Sequence, residues 1–256
     1  MANDVTGTDR IRSILVLAAT IGVIVFNWLA ATGRLGSDTA AISNQYPTLI
    51  TPAGWAFSIW SLIYLGLIAF SIYQMLAANL GRFRAVRSLY ISCCALNCAW
   101  LYFWHREQII ICLVVIAALC ATLAVICYHL RDPESLSDTW AAKAPFGLYF
   151  GWVTAATLVN FTIMLKFLKV DLPHSAETLL AAALVLLAAA LAILVRWKLT
   201  NYFYPIAVAW ALTAIAVKQS GQTLIVVAAA IGVIACLIAS LSFVMNLNSS
   251  ESRSRV

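Results

Sequence analysis

The sequence predicts an all-α integral membrane protein, and three observations carry that prediction. Of its 256 residues 63% are hydrophobic and only 10% charged, and the mean hydropathy is +0.93, far from the roughly half-apolar, quarter-charged balance of a water-soluble domain. The apolar residues gather in runs close to the length of a bilayer span. All 10 acidic residues fall outside those runs.

A hydrocarbon core of ~30 Å takes about 20 helical residues, and only a helix satisfies its own backbone there. That ruler divides the chain into spans at 11–31, 54–76, 88–104, 108–130, 144–168, 178–197, 202–217 and 223–245. The first follows Arg10 and Arg12 and continues through Phe26, Asn27 and Trp28, beyond the ~7–15 apolar residues of a secretory signal core, so it reads as a retained span. The third carries Asn97 and several cysteines. The sixth is almost wholly Ala, Leu, Ile and Val. The seventh is short and opens with Pro205, tolerated in a first turn where its missing N–H has no partner to lose. In the eighth, Ala228, Gly232, Cys236 and Ser240 form a stripe of small residues, which packing within the chain and homodimerisation satisfy equally well. The seven cysteines lie in or at the edges of apolar segments, a placement for packing and not for a disulfide framework.

Orientation follows from Lys and Arg. Arg10, Arg12, Arg82, Arg84, Arg87, Arg131, Lys143, Arg196, Lys198, Arg253 and Arg255 fall on one side, against Arg34, Arg106, Lys166, Lys169 and Lys218 on the other. A multi-pass protein with both termini cytoplasmic is expected, with the loop 32–53 on the far side. Trp104, Tyr128, Trp197, Tyr202 and Tyr204, near span ends, read as interfacial anchors. Lys218 reads as a lysine snorkelling to the interface.

Several function classes lose support. The net charge of +6 is spread singly or in short groups, without the basic stripe of a nucleic-acid binder. No carboxylate lies at membrane depth, where ion-coupled pumps keep one. His105, His129 and His174 sit at span ends or in loops, so neither a metal site nor a haem is expected, and no cofactor is implied. Neither a phosphate-binding glycine loop nor a nucleophile elbow is present; no catalytic residue is assigned.

What remains is a repeated stripe of aromatic and polar residues at helical spacing. Phe57, Trp60 and Tyr64 share a face of the second span; Cys93, Asn97, Trp100 and Trp104 one of the third; Tyr149, Trp152, Ala156 and Asn160 one of the fifth, all in steps of three or four. An amide facing lipid loses its hydrogen bonds, so Asn97 and Asn160 are expected to point inward, either to bond neighbouring helices or to line a cavity. Three such stripes on separate helices suit a shared pocket for a flat, largely apolar ligand.

The run Thr51-Pro52-Ala53-Gly54-Trp55-Ala56-Phe57-Ser58-Ile59-Trp60 with Tyr64, then Leu96-Asn97-Cys98-Ala99-Trp100 with Phe103, then Tyr149-Phe150-Gly151-Trp152-Val153-Thr154-Ala155-Ala156-Thr157 with Asn160, resembles the TspO/MBR family of tryptophan-rich sensory proteins, relatives of the mitochondrial translocator protein. The resemblance covers roughly residues 11–168. It implies a five-helix membrane bundle over residues 1–168; the three further transmembrane helices and short polar tail expected over 169–256 lie outside the common family pattern. It also implies a pocket beneath the first loop for a porphyrin, a sterol-like lipid or a benzodiazepine-type ligand. Trp55, Trp60, Asn97, Trp100, Tyr149, Trp152, Ala156 and Asn160 match pocket or motif positions, and Phe57 and Tyr64 join them by their spacing. Trp55 and Trp60 stand one residue closer than the family spacing, and Pro145 lies one turn before the place, here Leu148, where the fifth helix of the family carries its proline. The function this implies is a membrane receptor or sensor for a planar hydrophobic ligand, with a transporter of such ligands and a light-dependent porphyrin-degrading enzyme as the competing readings.

Overall fold

The computed structural model describes residues 6–34 and 39–253, the side chains of residue 40 and of 243–253 excepted. Asp4, Asp38 and Arg255, used above to read charge placement, lie outside the described residues, as do the side chains of Glu251 and Arg253. Every regular element among the described residues is helical.

Helix α1, Gly7–Ala31, starts at a capping box: Thr6 Oγ1 accepts from the Asp9 backbone N–H and the Asp9 carboxylate accepts from that of Thr6, which satisfies two otherwise orphaned donors. The first loop carries α2, Thr39–Gln45. A 3-10 turn, Gly54–Ser58, runs into α3, Ile59–Tyr73. Then come α4, Arg84–Trp104, and α5, Ile109–His129. A short α6, Leu136–Asp138, and a π turn, Thr139–Lys143, lead into α7, Ala144–Phe167, with Pro145 in its first turn. The chain ends in α8, His174–Lys198, α9, Phe203–Lys218, and α10, Thr223–Arg253.

Five helices close a ring in the order α1, α3, α7, α5, α4 and back to α1. The last three helices pack outside it, with α9 against α7 and flanked by α8 and α10. One continuous hydrophobic core runs from Val16 on α1 to Cys236 on α10. Close approach of α9 to α7 depends on Gly151, and Gly232 makes room for the Leu212 side chain. A Cβ on Gly151 would stand 2.5 Å from the Tyr204 carbonyl oxygen, and one on Gly232 would stand 2.6 Å from Leu212 Cδ1. The small-residue stripe of α10 is thus used inside the chain: Ala228 and Cys236 are buried, and Ser240 donates to the Tyr202 carbonyl at 3.0 Å.

All eight expected spans are helices, but six are both long and apolar enough to cross a membrane: α1, α3 with its 3-10 lead, α5, the α6–α7 unit, α8 and α10. Helix α4 is long enough at 21 residues but less apolar, because it carries Arg87, Tyr90, Asn97, Trp100 and Trp104, all buried. Its polarity faces the interior. Helix α9 has 16 residues, about 24 Å at 1.5 Å per residue, and its neighbours bury it on most sides, leaving one exposed face at Ile206, Trp210 and Val217. Two expected anchors also prove internal. Trp104 and Tyr204 are both 1% exposed, and Tyr204 donates to Thr154 Oγ1 at 2.9 Å. Trp197 and Tyr128 are exposed, as belts require.

The basic segments meet at one end of the bundle. Arg84 grips Asp9 through two bonds of 2.8 and 2.7 Å, and Arg82 pairs with Asp138 at 2.6 Å. Arg87, fully buried, donates to Gln74 Oε1 and to the carbonyls of Gln74, Asn79 and Leu80. In the α8–α9 link Thr200 adopts φ +50°, a region a β-branched residue seldom enters; its hydroxyl donates to the Arg131 carbonyl at 2.6 Å. Lys143 donates to the same carbonyl and to Thr200.

Candidate ligand pocket

The pocket is built at the opposite end, under the first loop. The 3-10 turn before α3 points neighbouring aromatics in different directions. Phe57 turns inward and meets Trp152 edge-on at 5.8 Å. Trp55 turns outward, 44% exposed, against Trp210 of α9 at 4.8 Å. One turn into α3, Trp60 stacks on Tyr64 at 5.3 Å and presents its edge to Tyr149 and Trp152 of α7. On α4, Trp100 stacks on Trp104 at 5.4 Å.

Two cavities lie side by side in this aromatic cluster. The larger, about 440 Å³ and open on one side, is lined by Ile24, Asn27, Trp28 and Ala31 of α1, Thr39 of α2, Phe57, Trp60, Ser61 and Tyr64, and Trp100 and Leu101 of α4. That volume falls in the ~300–1,000 Å³ range of small-molecule sites. The smaller, about 40 Å³, is lined by Thr39, Ser43, Pro52, Phe57, Trp100, Trp104, Trp152, Ala155, Ala156, Val159, Asn160, Ile163, Ala211 and Ile215. Thr39, Phe57 and Trp100 border both and form the partition.

Of the residues singled out from the sequence, Phe57, Trp60, Tyr64 and Trp100 face the larger cavity, and Trp152, Ala156 and Asn160 join Phe57 and Trp100 at the smaller one. Asn97 and Tyr149 line neither. They form a buried strut behind the cavity, Asn97 donating to the Tyr149 hydroxyl at 2.9 Å and accepting from Asn27 at 2.7 Å. Trp55 lies outside both. Asn160 accepts from the Trp100 indole at 3.2 Å and donates to the Ala156 carbonyl at 2.9 Å. The contributions of α1, α2 and α9 were not anticipated. Asn27 carried a usable signal, an amide inside an apolar run, by the same rule that picked out Asn97 and Asn160. Ala211 and Ile215 carried none.

No charged side chain lines either cavity. Among the described residues no three His, Cys, Asp or Glu side chains come together to hold a metal. The Trp152 indole N–H is buried without a hydrogen-bond partner. Over the site, the loop is tied down from two sides. Tyr46 donates to Glu107 at 2.6 Å, and that bond, with burial adding to it, pushes the phenol up to about 12, so it keeps its proton. Lys218 donates to Asn44 at 3.0 Å.

Fold and site together define a polytopic α-helical membrane protein with an uncharged, aromatic-walled cavity inside its first five helices. A family model described as TSPO-like protein matches residues 13–243, and the chain belongs to that family. The match runs past residue 168, through α8 and α9 and into α10. No curated protein and no solved structure matches the chain.

Proposed function

We propose that this protein is a membrane receptor that binds a planar, largely apolar ligand, of tetrapyrrole or sterol-like character, in the larger cavity. The observation that carries the reading is the wall itself: Phe57, Trp60, Tyr64 and Trp100 line about 440 Å³ without one charged side chain. Aromatic rings give a flat ligand large contact area at little conformational cost, and Asn27 and Ser61 supply polar atoms to fix its orientation. The smaller cavity, with Trp152, Ala156 and Asn160, receives what the ligand projects past the partition, while Asn97 and Tyr149 keep the walls in place. In this reading the bound ligand is sensed, and no carboxylate, lysine or histidine lines either cavity to act on it as acid or base.

The basic end of the bundle faces the cytoplasm in this reading, with both termini there and the cavity toward the far side. Reporter fusions at the two termini and in the first loop test that orientation. For binding, purified protein in nanodiscs is titrated with protoporphyrin and tryptophan quenching is followed. Saturable quenching that weakens at least roughly tenfold in the double variant Trp60→Ala, Trp100→Leu is expected; binding that the double variant leaves unchanged removes this site.

A further inference from the structure

Helix α9 stands outside the five-helix ring, yet Ala211 and Ile215, one turn apart and both buried, form part of the wall of the smaller cavity. The same helix holds the loop that closes that cavity. The Ala53 N–H donates to the Ala214 carbonyl at 3.1 Å, the Trp210 indole donates to the Ala56 carbonyl at 2.9 Å, and the Gln219 amide donates to the Thr48 carbonyl at 3.2 Å. Pro52 and Phe57, which line the cavity, sit between or beside these anchors. The helix itself has little room to move toward α7, since Gly151 admits the Tyr204 backbone only because it lacks a Cβ. The smaller cavity therefore has a fixed far wall, and its 40 Å³ holds little more than one or two water-sized groups. The lining of that cavity is almost wholly apolar, with Trp152 among its rings.

We propose that α9 is the specificity wall of the ligand site. Ala211 and Ile215 limit the substituent that a ligand can project past Phe57 and Trp100 to a short, uncharged group such as an acetyl. A longer branched group meets Ile215. A carboxylate buried there would have no cation, and burying an unpaired charge is far more costly than burying a carbonyl. This inference rests on the ligand-binding reading above and narrows its ligand class.

The test uses the full chain in nanodiscs with three planar probes, pyrene, 1-acetylpyrene and 1-pivaloylpyrene, read by energy transfer from tryptophan and by displacement. The wild-type protein is expected to prefer 1-acetylpyrene over both others by roughly tenfold, the scale on which apolar pockets discriminate by size. Ile215→Ala should admit the pivaloyl ketone and shrink that preference to within about threefold. Ala211→Phe should close the cavity and bring 1-acetylpyrene down to the level of pyrene, with Ala211→Val as the smaller step if the phenylalanine variant does not fold. Val217→Phe, on the exposed face of α9, should change nothing. If the wild-type protein binds protoporphyrin but treats the three pyrenes alike, or if its preference survives both α9 variants, the inference fails and the receptor reading stands. If the wild-type protein binds neither protoporphyrin nor any pyrene, both fail.

Discussion

Asn97 on α4 donates its amide N–H to the phenolic oxygen of Tyr149 on α7 at 2.9 Å. With Asn27 of α1 donating to the Asn97 carbonyl at 2.7 Å, one amide links three of the five ring helices at membrane depth. Interhelical side-chain bonds in membrane proteins contribute only ~0.6 kcal/mol on average, because the separated helices find other partners. Tyr149→Phe should therefore cost about 0.5–1 kcal/mol. Asn97→Ala removes both bonds and leaves a void, so a larger loss of about 1.5–3 kcal/mol is expected. Denaturation in mixed micelles measures both, and equal losses would mean that the Asn27 bond contributes nothing.

Gly151 and Gly22 predict opposite outcomes for the same substitution. A Cβ on Gly151 would meet the Tyr204 carbonyl oxygen at 2.5 Å and Ala207 Cβ at 2.9 Å, whereas one on Gly22 would meet nothing within 4 Å. Backbone cannot swing aside as a long side chain can, so Gly151→Ala must push α9 away from α7, at about 1–3 kcal/mol. Gly22→Ala should be neutral or stabilise by up to ~1 kcal/mol through helix propensity alone. Thermal melts of the two variants side by side check the contrast.

Arg87 caps the end of α3 from the interior. Its guanidinium donates to Gln74 Oε1 at 2.6 Å, Leu80 O at 2.6 Å and Gln74 O at 3.0 Å, and Asp9 lies 3.9 Å away. Arg87→Met strands those carbonyls and is expected to lower stability by about 3–5 kcal/mol, the scale for breaking a buried charged network. Arg87→Lys should recover only a small part, because an ammonium cannot reproduce the planar fork of donors. Yield of monodisperse protein and its melting temperature report both changes.

The ring of five helices came from the family resemblance, while the inward aromatic stripes were legible because lipid enforces a simple rule: a buried amide or indole on an apolar helix has to face protein. That rule found Asn97, Asn160, Trp100 and Trp152. It said nothing about which inward residues touch empty space and which touch each other, so Asn97 and Tyr149, read as pocket lining, form a strut. Trp55 was carried over from the family resemblance and not from helical spacing, and two residues from Phe57 it lies on another side of the chain, against Trp210. The role of α9 was invisible for another reason. Ala211 and Ile215 are ordinary apolar residues, and only the packing of α9 on α7 brings them to the cavity. Trp104 and Tyr204, placed near span ends by hydropathy, are core residues because neighbouring helices and the first loop cover those ends.

Phe57 and Trp55 give the sharpest test of that local geometry, since they lie two residues apart and are both aromatic. Phe57 borders both cavities and packs against Trp152 at 5.8 Å; Trp55 packs on Trp210 outside them. Phe57→Ala removes an aromatic edge worth ~0.5–1.5 kcal/mol to a stacked or edge-on ring, so protoporphyrin affinity should fall roughly three- to tenfold. Trp55→Ala should leave affinity within about twofold and instead lower stability by about 0.5–1.5 kcal/mol through the lost contact with Trp210. Quenching titrations and melts on both variants separate the two effects. A loss of binding in Trp55→Ala equal to that in Phe57→Ala would mean that Trp55 leaves Trp210 and reaches the ligand.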